Sequence, residues 1–180
     1  MSEPLNLLLA GFGGQGILFA GKLIATAGLI EGKELSWLPS YGPEMRGGTA
    51  NCSVVLSDLP VGSPVVNRPT ELIAMNGPSL KRFEPRCRPG ALVLVNSSQA
   101  LEKVVRDDLR AFYIPSMEEA ARLGNIKVAN MIMLGAYIRA TGALRIETLE
   151  KMLAHIFTGP KAHLVELNIK ALQAGAGYIA

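Results

Sequence analysis

Leu5-Asn6-Leu7-Leu8-Leu9-Ala10-Gly11-Phe12-Gly13-Gly14-Gln15-Gly16-Ile17 is the stretch that decides the fold. Residues 5–10 form a short apolar run halted by glycine, which reads as a buried strand. Residues 15–30 then read as a helix, with Ile17, Gly21, Ile24 and Gly28 on one face. Half of that face is glycine, so another backbone is expected to pack closely against it. Gly11, Gly13 and Gly16 have the spacing of a dinucleotide-binding turn, and Gly14 and Gln15 complete it. In such a turn one glycine bends the chain, one lets the backbone approach a phosphate, and one seats helix on strand. The helix N-terminus would then face an anion. The acidic residue expected about 20 residues further on to hold a ribose is missing. The next strand ends at Leu38-Pro39-Ser40, while Glu34 lies at its start and Glu44 too far on. Two readings of the turn stay open: an anion site, and a tight connection with no ligand.

Outward from that turn, strands are expected at 34–38, 49–56, 72–75, 91–95 and 111–114. Helices are expected at 78–83 and 101–109. A further helix opens at Pro115 and Ser116, with Glu119 three residues on as a capping box. Strands alternating with helices predict an α/β fold, a three-layer Rossmann-like domain with a largely parallel sheet. From about residue 128 the pattern turns helical: 128–141 ended by Gly142, 146–157 ended by Gly159 and Pro160, and 161–174 ended by Gly175. No internal repeat and no long linker interrupts the chain. It therefore reads as a single domain over 1–180, its C-terminal helical segment packed on the same core.

With 49% hydrophobic and 18% charged residues, the chain can bury a core, which excludes disorder for most of its length. The net charge of +3 invites a nucleic-acid reading. Scattered basic residues without interleaved aromatics argue against it. No charge occurs between Pro4 and Gly21, but the glycines break that run, so no membrane span is expected. Ser2 and Glu3 stand where a secretory signal needs basic residues, and the chain reads as cytoplasmic. Cys52 and Cys87 are too few for a four-cysteine metal or iron–sulfur site, and both read as reduced thiols. Cys52 is expected in the core. Cys87, between Arg86 and Arg88, is expected as a solvated loop thiol. His155 and His163 have no acid–nucleophile pairing and read as surface or capping residues. Asn130 and Asn168, set in apolar helices, each need a bonding partner, and a loop backbone, the glycine turn included, would supply one.

Ser40-Tyr41-Gly42-Pro43-Glu44-Met45-Arg46-Gly47-Gly48-Thr49 is the other unusual stretch. In a sheet of this kind, loops at the carboxyl ends of strands line the binding crevice. Arg46 can fork onto a carboxylate or phosphate. Glu44 can orient it, cap an amide or bond a partner chain. The plainer alternative is a surface hairpin with solvated charges. So many polar groups among glycines favour a functional loop.

The two motifs together, with Asn130-Met131-Ile132-Met133-Leu134-Gly135 and the later Asn168 and Gly175, resemble the gamma subunit of the 2-oxoacid:ferredoxin oxidoreductases. The resemblance runs in order over nearly the whole chain. Ser36-Trp37-Leu38-Pro39-Ser40-Tyr41 is most similar to the 2-oxoglutarate branch. Such enzymes convert a 2-oxoacid and coenzyme A to an acyl-CoA and carbon dioxide and reduce ferredoxin. The resemblance implies that thiamine diphosphate and iron–sulfur clusters sit in partner subunits, and the chain has neither the thiamine diphosphate motif nor enough cysteines. It implies catalytic alpha and beta subunits and a ferredoxin-like subunit as partners, with coenzyme A as co-substrate. No catalytic residue, metal ligand or bound cofactor is expected on this chain alone, and once isolated it would be inactive or pair with itself. The expected contacts to ligand or partner are Gly11, Gly13, Gly14, Gln15, Gly16, Tyr41, Glu44, Arg46, Gly47 and Gly48. Lys81, Arg82, Arg86 and Arg88 read as a solvated face, with attraction of an acidic ferredoxin or of coenzyme A phosphates as the sharper alternative. The competing identities are an indolepyruvate-type ferredoxin oxidoreductase subunit, a free-standing nucleotide-binding Rossmann domain, and a scaffold with no ligand.

Overall fold

Alternate side chains of one strand feed two different cores. Leu7 and Leu9 of β1 (Leu5–Phe12) join one apolar cluster, and Leu8 and Ala10 join another. The strand is therefore buried on both faces, as its unbroken apolar run requires. The computed structural model describes residues 3–40 and 49–179.

The sheet has six strands in the order β2-β3-β1-β4-β5-β6. Beside β1 these are β2 (Glu34–Ser40), β3 (Thr49–Ser57), β4 (Glu71–Ala74), β5 (Leu92–Asn96) and β6 (Arg110–Ile114). β1, β4, β5 and β6 are parallel neighbours, whereas β3 pairs antiparallel with both β1 and β2. β3 alone runs against the others, so the sheet is largely parallel. β2 is an edge strand, which is where Pro39 is tolerated.

One face carries α1 (Ile17–Ile30), α3 (Ser116–Arg122), α4 (Ala129–Thr141), α5 (Ile146–Ile156) and α6 (Leu164–Ala176). The other carries α2 (Gly77–Phe83), whose Leu80 and Phe83 pack with Val93 and Val95. α4 is buried along most of its length and shares a cluster with Leu9, Ile73 and Leu94. Gly142, at φ 60, ends it.

Four expectations are corrected. Residues 101–109 form no helix. Their backbone donors are taken by side chains instead: Val105 and Arg106 amides donate to Glu84 Oε1 at 2.6 and 2.8 Å, and the Val104 amide to the Tyr113 hydroxyl at 2.9 Å. The capping box at Ser116 does not form. Ser116 lies inside α3, and the Glu119 amide it would cap donates to the Pro115 carbonyl at 3.0 Å, while Ser98 Oγ accepts from the Met117 amide at 2.9 Å. Glu119 pairs with Arg122 and the Tyr178 hydroxyl. The glycine face of α1 receives side chains, not backbone: Cys52 and Trp37 over Gly21, Leu56 and Leu35 over Gly28. Gly175 does not end the last helix. It lies within α6, where its missing side chain lets the Ile132 carbonyl of α4 approach.

Candidate functional site

The turn between β1 and α1 is closed by one of its own side chains. Gln15 Oε1 accepts from the Phe12 amide at 2.6 Å and from Asn76 Nδ2 at 3.2 Å. Gln15 Nε2 donates to Gln99 Oε1 at 2.5 Å. Gly11 makes room for this arrangement. A Cβ there would stand 2.5 Å from Gln15 Oε1, 2.8 Å from Ile17 Cδ1 and 2.9 Å from Met75 Cβ. Gly14 and Gly16 hold φ of 90° and 75°, a left-handed backbone that side chains resist. Gly16 occupies the N-cap of α1 and brings no capping side chain. Its carbonyl accepts from Asn130 Nδ2 at 3.3 Å, so Asn130 does bond the glycine turn. Asn168 instead donates to the Leu164 carbonyl one helical turn back, at 2.8 Å.

Sequence reading missed the rest of this cluster. Asn76 follows β4, caps α2 by accepting from the Ser79 amide at 2.9 Å, and reaches Gln15. Asn96 ends β5 and donates from Nδ2 to the Met75 carbonyl at 3.1 Å. The Gln99 carbonyl accepts from the Gly77 amide at 3.2 Å. Ser98 donates to Glu118, and that bond holds the Glu118 carboxyl below its ordinary range. Asn76 lies just past β4 and Asn96 at the end of β5, each closing an apolar run, which is the signal that would have found them.

The cluster lies at the carboxyl ends of β1, β4 and β5. β1 is also where the chain changes direction across the sheet, since β2 and β3 build outward on one side and β4 to β6 on the other. Ligand crevices of open α/β sheets form at such switch points. Gly13 and Gly14 are exposed there. Tyr41, Glu44, Arg46, Gly47 and Gly48 lie outside the described residues. The strand ends that flank them stand at the same edge: Thr49 pairs with Phe12, and Ser40 with Asn51.

Other candidates resolve differently. Cys52 is fully buried, and burial pushes its thiol up to about 12. Cys87 is not solvated. It is 2% exposed, and burial pushes it up to about 11, against the pull of Arg106. Neither thiol of the folded chain should react with Ellman's reagent at mildly alkaline pH, and both should react after denaturation. Rapid release from the folded chain would contradict this. His155 and His163 are exposed and bond carbonyls within one turn of themselves. The Arg82 and Arg86 guanidiniums lie 5.3 and 5.5 Å from the Phe83 ring centre, so this part of the basic stretch is packed as well as solvated. Among the described residues no three His, Cys, Asp or Glu side chains group to hold a metal ion. No described helix is long and apolar enough to cross a membrane.

Comparison with known proteins decides the lineage. The family described as "Pyruvate ferredoxin/flavodoxin oxidoreductase" matches residues 6–178. The chain belongs to this family. Ketoisovalerate oxidoreductase subunit VorA of Methanothermobacter marburgensis is 41% identical over 98% of the chain. The chain spans only 37% of that relative's length. 2-Oxoglutarate synthase subunit KorC of Methanothermobacter thermautotrophicus is 34% identical, over 94% of the chain and 92% of the relative. Among solved structures, the gamma subunit of a keto/oxoacid ferredoxin oxidoreductase from Geobacter sulfurreducens PCA superposes with a TM-score of 0.82, at 29% identity over 97% of both chains. Within the pyruvate ferredoxin/flavodoxin oxidoreductase family, the α/β architecture described above is thus that of a gamma subunit.

Proposed function

We propose that the chain is the gamma subunit, or the gamma module of a longer subunit, of a 2-oxoacid:ferredoxin oxidoreductase. That enzyme would turn a 2-oxoacid, coenzyme A and oxidised ferredoxin into acyl-CoA, carbon dioxide and reduced ferredoxin. The family match over residues 6–178, with the glycine turn at the sheet's switch point, carries the reading. Thiamine diphosphate and iron–sulfur clusters would belong to alpha, beta and ferredoxin-like partners in the cytoplasm. This chain's part is to complete the complex and wall a crevice for substrate or coenzyme A. The residues proposed to contact ligand or partner are Gly11, Gly13, Gly14, Gln15, Gly16, Tyr41, Glu44, Arg46, Gly47 and Gly48. Gln15 suits that role, because its amide is fixed by Phe12, Asn76 and Gln99 and keeps the turn in shape.

2-Oxoglutarate is the proposed substrate, supported by the match to KorC over nearly the full length of both chains. Ketoisovalerate is the second reading, favoured by the higher identity to VorA. A tagged chain pulled from its native cells should bring down larger, brown subunits. The eluate should reduce a low-potential dye only with both a 2-oxoacid and coenzyme A. Faster reduction with 2-oxoglutarate than with ketoisovalerate supports the first substrate, and the reverse supports the second. A colourless eluate carrying a bound dinucleotide would replace the whole reading with a dehydrogenase domain. Within the active complex, Arg46→Ala should raise the KM for coenzyme A or the 2-oxoacid by about tenfold, as loss of a charge-assisted contact does. Unchanged kinetics for both would remove Arg46 from the crevice.

A further inference from the structure

At the opposite end of the sheet from the glycine turn lies a second polar site that the proposed function does not use. Glu71 opens β4 and is 5% exposed. Its Oε2 is buried and has no hydrogen-bond partner among the described residues, and the Tyr137 hydroxyl of α4 is in the same state. A buried carboxylate oxygen without a donor is costly and calls for one. Burial pushes the Glu71 carboxyl up to about 7, although hydrogen bonds from the Thr70 side chain and the Asn6 backbone, and then Arg110 and Arg88, pull it down.

Glu71 stands in the wall of a cleft of about 480 Å³, together with Glu3, Arg88 and Arg110. That volume falls within the roughly 300–1,000 Å³ of small-molecule sites. Strand register puts Glu71, Leu92 and Arg110 in one row across β4, β5 and β6, so all three share a face. The Cα atoms of Glu71 and Arg110 are then two strand spacings apart, about 10 Å, near enough for Arg110 to act on the Glu71 carboxyl. Neither arginine forms an ion pair with a carboxylate among the described residues. Leu5, Leu92 and Ala140 supply an apolar part of the lining.

We propose that this cleft binds a small aliphatic α-amino acid, with its ammonium on Glu71 and its carboxylate on Arg110 and Arg88. The charges select the class. A simple anion would satisfy the guanidiniums and leave Glu71 Oε2 without a donor. A simple amine would satisfy the carboxylates and leave the guanidiniums, neither of them in an ion pair among the described residues, without an anion. A zwitterion answers both, and the leucine-lined wall takes its side chain.

Calorimetric titration of the full chain with glycine, L-alanine, L-valine, L-leucine and L-glutamate tests this. At least one aliphatic member should bind. For valine, isovalerate lacks the ammonium and isobutylamine lacks the carboxylate, and each should bind at least about tenfold more weakly, having lost one charged contact. Glu71→Gln and Arg110→Ala should each weaken binding by a similar factor. Arg110 is exposed on an edge strand, so Arg110→Ala decides the matter should Glu71→Gln fail to fold. Absence of binding by all five amino acids would overturn the proposal. So would equal binding of isovalerate or isobutylamine, or binding unchanged in Arg110→Ala.

Discussion

Gly175→Ala is expected to lower the thermal midpoint of the chain by about 6–12 °C. α4 and α6 cross through a reciprocal contact. Gly135 faces the Leu172 backbone carbonyl, and Gly175 faces the Ile132 backbone carbonyl. A Cβ at either position would fall inside the van der Waals shell of a helical carbonyl oxygen. A flexible side chain could turn aside, but a carbonyl inside a helix cannot, so the two helices must separate. Separation opens the packing around Leu172, Ala171, Ile132 and Tyr137, all fully buried. Overpacking of a core costs about 1–3 kcal/mol and occasionally more. With backbone as the obstacle the upper end applies, and about 3 kcal/mol converts to the stated shift at about 2–4 °C per kcal/mol for a chain of this size. Gly62→Ala is the control. Gly62 has open space around it, so its change should stay within about 0.5 kcal/mol. A Gly175→Ala midpoint equal to wild type, read by circular dichroism, would show that the helices do not meet as described.

Glu84→Ala should cost about 2–4 kcal/mol, the second large effect. Glu84 is 6% exposed, and its Oε1 accepts from two successive amides, those of Val105 and Arg106. Arg106 also donates to the Glu84 carbonyl at 3.2 Å and the Cys87 carbonyl at 2.7 Å. One side chain thus ties residues 105 and 106 to the end of α2. Truncation leaves two amides without their acceptor, at about 1–3 kcal/mol for each buried group that stays unpaired. Glu84→Gln keeps an acceptor oxygen and should recover about half the loss. Denaturant midpoints measure the cost, and proteolysis of the native chain should move to residues 101–109 in Glu84→Ala. An unchanged midpoint with unchanged cleavage would show that the segment is held by other means.

That segment also marks where sequence reading stopped. Strands β1, β4 and β5 were legible because each is an apolar run cut off by a turn residue, which is what a strand buried on both faces looks like. α4 was legible from its apolar run and Gly142. Residues 101–109 have helical composition, yet Leu101 and Val105 are 88% and 89% exposed, and distant side chains take the backbone donors that a helix would use. Local pattern cannot reveal a competitor that lies 21 residues away, as Glu84 does from Val105. The candidate site has the same character. Its glycines were visible as a spacing, but the bond from Gln15 to Gln99 joins residues 84 apart, and that from Asn130 to Gly16 joins residues 114 apart. Asn130 was identifiable as a polar residue in need of a partner. Asn76 and Asn96 were marked only by closing an apolar strand run, and Gln99 looks like an ordinary turn residue until the sheet brings the carboxyl ends of its strands together. The Ser116 capping box failed for a local reason: the helix starts one residue earlier, and the Glu119 amide that the box needs donates to the Pro115 carbonyl.

The most direct test of the gamma-subunit reading is a reconstitution. Partner subunits would be prepared with and without this chain, and coenzyme-A-dependent reduction of a low-potential dye by 2-oxoglutarate and by ketoisovalerate would be followed in both. Little or no turnover is expected without the chain, with recovery when it is added back in stoichiometric amount. Full turnover by the partners alone, unchanged by the added chain, would contradict the gamma-subunit reading.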